Sequence, residues 1–238
     1  MPDDTTVERI LVVTAHPDDV DFGAAGSVAT WTDAGIEVSY CVVTDGDAGG
    51  FDLDVDRAEM PAIRRAEQEA AAKVVGVTDL HFLGYPDGRL VPSIELRRDL
   101  SRVIRQVRPQ RLVCQSPERN WLRIHASHPD HLAAGEAAIC AVYPDARNAF
   151  AHPELLAMED LEPHAVGEVW IMAQGAEQAV DITDTFERKM TALRCHVSQR
   201  TDGEEMEARL RAWGVAVAEQ AHLAGGRLAE AFTVVETG

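Results

Sequence analysis

The tightest constraint on how this chain can fold is a corner. The apolar run Ile10-Leu11-Val12-Val13 leads almost at once into His16-Pro17-Asp18-Asp19, which is followed by Gly23-Ala24-Ala25-Gly26-Ser27-Val28-Ala29. The run is rich in β-branched residues and too short for a helix of its own, so it reads as a parallel strand buried on both faces, ending near Ala15. Pro17 fixes the backbone of the corner, and the small residues behind it suit a helix packed close to a sheet. The polar corner therefore lies just past a strand's carboxyl end. Ligands bind there in open α/β sheets, because loops leaving several strands converge.

His16 and Asp19 are three apart and can face one cation if the corner is tight. Zinc takes imidazole nitrogen at about 2.0–2.1 Å and carboxylate oxygen at about 2.0–2.2 Å, normally with four ligands, so a further ligand must come from elsewhere. The candidate segment is Ser127-His128-Pro129-Asp130-His131. Pro129 suits the first position of a helix running on through Leu132–Ala138, with His128 at its threshold and His131 in its first turn. Upstream, Arg111-Leu112-Val113-Cys114 reads as another strand. Taken alone, a His-Pro-Asp-Asp corner is commonly a turn with a capping aspartate, and His-x-x-His near a helix start is commonly a cap and a surface residue. At the ends of neighbouring parallel strands, the two motifs aim four groups at one crevice.

These paired motifs, with Gly23 and Gly26, resemble the LmbE-like or PIG-L family of zinc-dependent N-acetylglucosaminyl deacetylases, and the resemblance extends over nearly the whole chain. Thr44-Asp45-Gly46-Asp47 is similar to the family's loop after the second strand, Arg64 with Glu67 to its helix signature, and Gly84-Tyr85-Pro86-Asp87-Gly88 to its substrate-side loop. Asp181-Ile182-Thr183, Lys189 and His196-Val197-Ser198-Gln199 are similar to its carboxyl-terminal pattern. The resemblance implies Zn²⁺, or Fe²⁺ or another divalent ion, held by His16, Asp19 and His131. It further implies Asp18 as general base, His128 as oxyanion stabiliser or proton donor, and Arg64 and Asp87 as substrate contacts. The sequence departs from the pattern in two places. Ala126 stands where one branch of the family has a tyrosine, leaving Asn120, Arg123 and His125 as candidate donors, and Val20 stands where a glutamate is usual, so that any supporting role of that glutamate passes to Asp21 or is lost.

Along the remaining chain, Glu37–Val43 and Leu80–Leu83 read as strands, and 58–75 and 93–107 as helices. The charges of the first helix, Arg64, Arg65, Glu67 and Glu69, read on periodicity as a solvated face. The proline-containing stretch from Pro144 to His164 reads as a long connection over the active-site face, with His152 and His164 as substrate-side or surface residues. Glu168–Met172 reads as a strand, Asp184–Arg194 as a helix, Glu204–His222 as a helix interrupted at Gly214, and Ala231–Glu236 as a final edge or returning strand. The expected architecture is one α/β domain spanning residues 1–238, a Rossmann-like three-layer sandwich with a mostly parallel sheet.

With 40 acidic and 22 basic residues among 238, the net charge is −18, which disfavours phosphate backbones and anionic membrane surfaces. No apolar run approaches the ~18 residues of a membrane span, and the first residues lack a signal peptide's pattern, so a cytoplasmic location is expected. Cys41, Cys114, Cys140 and Cys195 show no Cys-x-x-Cys spacing and read as buried free thiols. The expected activity is removal of an N-acetyl or other N-acyl group from an amino sugar or glycoconjugate, with no nucleic-acid partner and a homo-oligomer left open. A thiol-sugar conjugate is an alternative substrate for the same site. Two readings of other classes remain: a non-haem Fe(II) oxygenase, which uses the same ligand set, and a noncatalytic Rossmann-like binding module. The βα pattern opposes the first. Carboxylates in the corner and the lack of Gly-x-Gly-x-x-Gly oppose the second.

Overall fold

The computed structural model describes residues 7–238 except 53, 122–123, 173–177, 202 and the side chain of His125. Its strands are β1 (Arg9–Thr14), β2 (Glu37–Thr44), β3 (Asp79–Tyr85), β4 (Arg111–Gln115), β5 (Glu168–Met172), β6 (Gln178–Asp181) and β7 (Ala229–Glu236). They form one sheet in the order β3-β2-β1-β4-β5-β7-β6. The first five are parallel, and β7 runs antiparallel to both of its neighbours. The helices are α1 (Asp19–Gly23), α2 (Ala25–Asp33), α3 (Met60–Val74), α4 (Ile94–Val107), α5 (Pro129–Cys140), α6 (Pro153–Ala157), α7 (Phe186–Arg194) and α8 (Glu204–Gln220).

The period of two along β1 divides its side chains between two apolar clusters. Leu11 and Val13 pack with Leu100 and Ile104 of α4 and Ala134 and Ala137 of α5, whereas Ile10 and Val12 pack with Val28 and Trp31 of α2 and Ala71 and Ala72 of α3. Burial on both faces is the reason its sequence is continuously apolar rather than alternating. Arg111 opens β4 without exposure because its guanidinium lies 3.9 Å from the Trp170 ring and 5.4 Å from the Trp31 ring, and its Nε donates to Glu168 at 2.7 Å. Ring faces and a carboxylate together offset the loss of water around that cation.

Several sequence expectations are corrected. Helix α8 runs unbroken through Gly214, whose missing side chain makes room for Leu228: a Cβ there would lie 3.3 Å from Leu228 Cδ2. Of the two readings of the last strand, β7 is the returning strand and not the edge: it runs antiparallel between β5 and β6, the latter a strand that the pattern did not reveal. The 144–164 segment contains α6 and lies at the amino-terminal end of the strands, away from the corner. His164 Nε2 bonds the Pro109 carbonyl just before β4 at 2.7 Å, and His152 faces Asp145 at 3.4 Å. Cys41 and Cys114 are buried, whereas Cys140 and Cys195 are only partly so; all four are free thiols. Among the described residues no helix is long and apolar enough to cross a membrane.

Strands β1 and β4 are neighbours, although β2 and β3 intervene in the chain and lie on the far side of β1. This reversal of strand order opens a crevice at the carboxyl ends of β1 and β4. Both histidine motifs emerge into it, and the Ala15 amide after β1 donates to Gln115 Oε1 at the end of β4 at 2.9 Å.

Candidate active site

The corner after β1 is held by its own backbone. The His16 amide donates to Asp19 Oδ2 at 2.7 Å, the Asp19 amide to the His16 carbonyl at 3.3 Å, and the Asp21 and Phe22 amides to the Asp18 carbonyl at 2.9 and 3.0 Å. Closing so tight a turn puts Asp18 at φ 93°, the left-handed region, which costs a non-glycine residue about 1–3 kcal/mol. On the other motif, His128 caps α5: its Nδ1 accepts from the Asp130 amide at 3.2 Å, and Pro129 begins the helix. One turn in, His131 points back across the crevice.

Three donor sets meet there. His16 Nδ1 lies 3.2 Å from Asp19 Oδ2, His131 Nε2 lies 3.0 Å from Asp19 Oδ1, and the two nitrogens are 3.3 Å apart. Bonds of about 2.0–2.1 Å arranged tetrahedrally separate neighbouring ligand atoms by about 3.3 Å, so these spacings fit a small divalent cation with little rearrangement. The remaining ring atoms support the same reading. His16 Nε2 faces Asp87 Oδ1 at 3.1 Å and Asp130 Oδ2 at 3.3 Å, the carboxylate–imidazole arrangement that turns the other nitrogen's lone pair toward a metal. His131 also hydrogen-bonds the backbone of Ala126. Donor atoms of His16, Asp87 and Asp130 also cluster, as do those of His16, His128 and His131. In the first of these, the Asp130 oxygens are already engaged by the Gly88 and Leu90 amides at 2.7 and 3.2 Å, which makes it a support rather than a cradle.

The electrostatics follow from the packing. Burial disfavours a charged His16, but Asp19, Asp130 and Asp87 outweigh it and push the metal-free imidazole up to about 12. His131 is raised in the same way: burial opposes and Asp19 prevails, with Asp19 correspondingly lowered. Protons thus occupy the position that a cation would take, and a cation must displace them. His128 is instead lowered, first by burial and then by the neighbouring His16 and His131. Its Nδ1 accepts a backbone hydrogen bond, so neutral His128 carries its proton on Nε2 and serves as a donor. Asp18 is raised to about 7, mainly by burial, against the pull of Arg64.

Arg64 and Asp87, expected to meet substrate, both hold site residues. Arg64 is 3% exposed; its guanidinium donates to the Pro17 carbonyl and the Gly46 carbonyl and pairs with Asp18 Oδ2 at 3.1 Å. The charged face read as solvated on α3 is therefore split. Arg65 and Glu69 form an exposed pair, while Arg64 turns inward and Glu67 accepts from both the amide and hydroxyl of Ser198 at 2.8 Å. Asp87, besides its contact with His16, receives support through its amide from Asp47 Oδ1 at 2.9 Å, which ties the loops after β2 and β3 together. Among the donors considered in place of a tyrosine at Ala126, Asn120 closes its loop by donating its amide to Ser127 Oγ at 2.7 Å. Arg123 and the His125 side chain lie outside the described residues. Asp130 and Gln68 were not anticipated. Asp130 stands inside the His-Pro-Asp-His motif, and that position was the available signal.

The fold and site define an α/β protein with two histidines and a carboxylate converging at the switch point of a mostly parallel sheet. A family model described as GlcNAc-PI de-N-acetylase (PIG-L) matches residues 11–142. The chain is 34% identical to the diacetylchitobiose deacetylase of Thermococcus kodakarensis over 194 residues, covering 81% of this chain and 70% of that protein. It is 32% identical to a probable N-acetyl-alpha-D-glucosaminyl L-malate deacetylase 2 of Bacillus cereus, covering 80% and 83% respectively. The solved N,N'-diacetylchitobiose deacetylase of Pyrococcus horikoshii superposes with a TM-score of 0.88 at 29% identity, over 98% of this chain and 85% of that one. The chain belongs to the PIG-L family. A 4-carboxy-2-hydroxymuconate hydratase from Pseudomonas putida shares the fold at a TM-score of 0.78 and 20% identity, covering 97% of each chain, so the reaction does not follow from architecture alone.

Proposed function

We propose that this protein is a divalent-metal-dependent N-deacetylase acting on an N-acetylated amino sugar or glycoconjugate. The observation that carries this reading is the mutual 3.0–3.3 Å approach of donor atoms from His16, Asp19 and His131. Two imidazoles and one carboxylate are a donor set suited to zinc. A divalent ion held there supplies Lewis acidity, lowering the pKa of a water molecule and polarising an amide carbonyl.

The remaining chemistry belongs to the chain. Asp18 takes a proton from the attacking water; Arg64 engages its Oδ2, and Oδ1 is the atom assigned the proton. A base near neutrality is matched to that task. His128, neutral with its proton on Nε2, donates to the oxygen that becomes negative as the amide carbon turns tetrahedral. Asp18 then returns its proton to the departing amine nitrogen, leaving acetate and a free amino sugar. Arg64 and Asp87 hold Asp18 and His16 in place, and contact with a sugar hydroxyl adds to that hold.

The test is a screen of metal-loaded protein against N-acetylglucosamine, N,N'-diacetylchitobiose, N-acetylglucosaminyl malate and a thiol-sugar acetamide, read by primary-amine release. Amine release that vanishes on chelation supports the reading. Hydration of an unsaturated acid with no amine release from any acetamide would replace it.

A further inference from the structure

A buried polar chain leads away from the Asp18 amide. The Asp18 amide donates to Gln68 Oε1 at 2.8 Å, and Gln68 Nε2 donates to Asp21 Oδ2 at 2.9 Å. The same Asp21 oxygen receives His196 Nε2 at 2.8 Å. Gln68, Asp21 and His196 are all fully buried. The three come from α3, α1 and the turn after α7, and that turn is fastened to α3 by the two hydrogen bonds from Ser198 to Glu67. Asp21 Oδ1 and His196 Nδ1 are buried without a hydrogen-bond partner among the described residues, so the chain is kept at a cost that an apolar set would avoid.

We propose that Gln68 is a positioning residue for Asp18, kept in one orientation by the Asp21–His196 pair. The proposal rests on Asp18 being the general base. Asp21 Oδ2 accepts from both Gln68 Nε2 and His196 Nε2, and with its amide nitrogen so engaged Gln68 presents its carbonyl oxygen to the corner. That oxygen holds the amide of a residue at φ 93°, a conformation a non-glycine side chain leaves unless its surroundings fix it. Arg64 fixes the Asp18 carboxylate, while Gln68 fixes the backbone that carries it. His196 acts one bond further out, by orienting Asp21.

The experiment compares Gln68→Met, which keeps volume and removes both hydrogen bonds, with Gln68→Glu, whose protonated acid accepts from the Asp18 amide and donates to Asp21. With N,N'-diacetylchitobiose as probe, Gln68→Met should keep its metal content and KM while kcat falls by about 10- to 100-fold, the scale of a misplaced reacting group. Gln68→Glu should recover most of the loss, and His196→Gln, which retains a donor to Asp21, should lie between them. In an Asp18→Asn background, Gln68→Met should cost almost nothing further. A crystal structure of Gln68→Met supplies a readout independent of substrate: Asp18 should leave the left-handed region. Asp18 unmoved in that structure, or wild-type kcat in Gln68→Met, overturns the proposal. Wild-type turnover in Asp18→Asn alone removes the general base, whereas lost turnover there with full turnover in Gln68→Met removes only the positioning chain.

Discussion

Asp130 Oδ2 lies 3.3 Å from His16 Nε2, joining the two histidine motifs across 114 residues of chain. The same carboxylate accepts from the Gly88 and Leu90 amides, so one side chain sets both the ring of His16 and the loop after β3. Asp130→Asn puts an amide NH₂ where one of these acceptors is required. The expected result is metal binding weakened by about 10- to 100-fold with the fold retained, measured by competition with a chelating dye. Unchanged affinity would assign Asp130 to loop structure alone.

Purified protein should hold about one divalent ion per chain. Asp19→Ala and His131→Ala should each lose it, together with activity. Elemental analysis after dialysis checks this, and full metal content in both variants would place the ion elsewhere.

Asp18→Asn should separate chemistry from binding. Asparagine keeps the size and polarity of the side chain but accepts no proton near neutral pH. Metal content should be unchanged and turnover reduced by about 10²–10⁴-fold, the usual share of general-base catalysis. A metal-loaded variant with wild-type turnover would strike Asp18 from the mechanism.

Gly135 of α5 faces the backbone at the end of β4: a Cβ there would lie 2.3 Å from the Gln115 carbonyl oxygen. Backbone cannot swing aside as a side chain can, so Gly135→Ala must displace the helix that carries His131. A loss of about 1–3 kcal/mol in denaturant unfolding is expected, with weakened metal binding alongside.

Away from His16, Asp19 and His131, a pH effect on stability belongs to His164. Burial holds it below the usual histidine range. As pH falls, the unfolded chain takes up this proton before the folded chain does. The stability it contributes is therefore fully present above its unfolded pKa, about 6.5, and is lost as pH falls from there through the folded value. His164→Gln keeps a donor for the Pro109 carbonyl but cannot titrate. Between pH 7 and 5.5 its Tm should fall less steeply than that of the wild-type protein in parallel thermal scans.

The parallel strands and the two histidine motifs were legible because their signals are local: an apolar run, a proline, a fixed spacing. The Pro129 helix start was equally local, whereas Ser93, read as the first helical residue of 93–107, instead caps α4 by accepting from the Leu96 amide at 3.2 Å. Gln68 and Glu67 were not, because helical periodicity cannot tell a polar residue facing water from one facing a buried partner brought in from another element. Gly214 resembled a break for the corresponding reason: nothing near it in the chain announces Leu228. The 144–164 segment was placed at the wrong end of the sheet because composition records that a stretch is irregular, not where helix α5 delivers it.

β1 finds its β4 partner about a hundred residues downstream, pairing Ile10 with Arg111. While the ribosome makes the intervening segments, the first strand has one edge without a neighbour, and that edge is apolar on both faces. A growing chain in this state presents the kind of surface on which other strands add, and a holdase chaperone would recognise it. His16 waits over the same interval for His131, 115 residues away. The proposed metal site is therefore complete only once the sheet is closed around β1, and chains stalled before Arg111 should be poor metal binders as well as prone to aggregate.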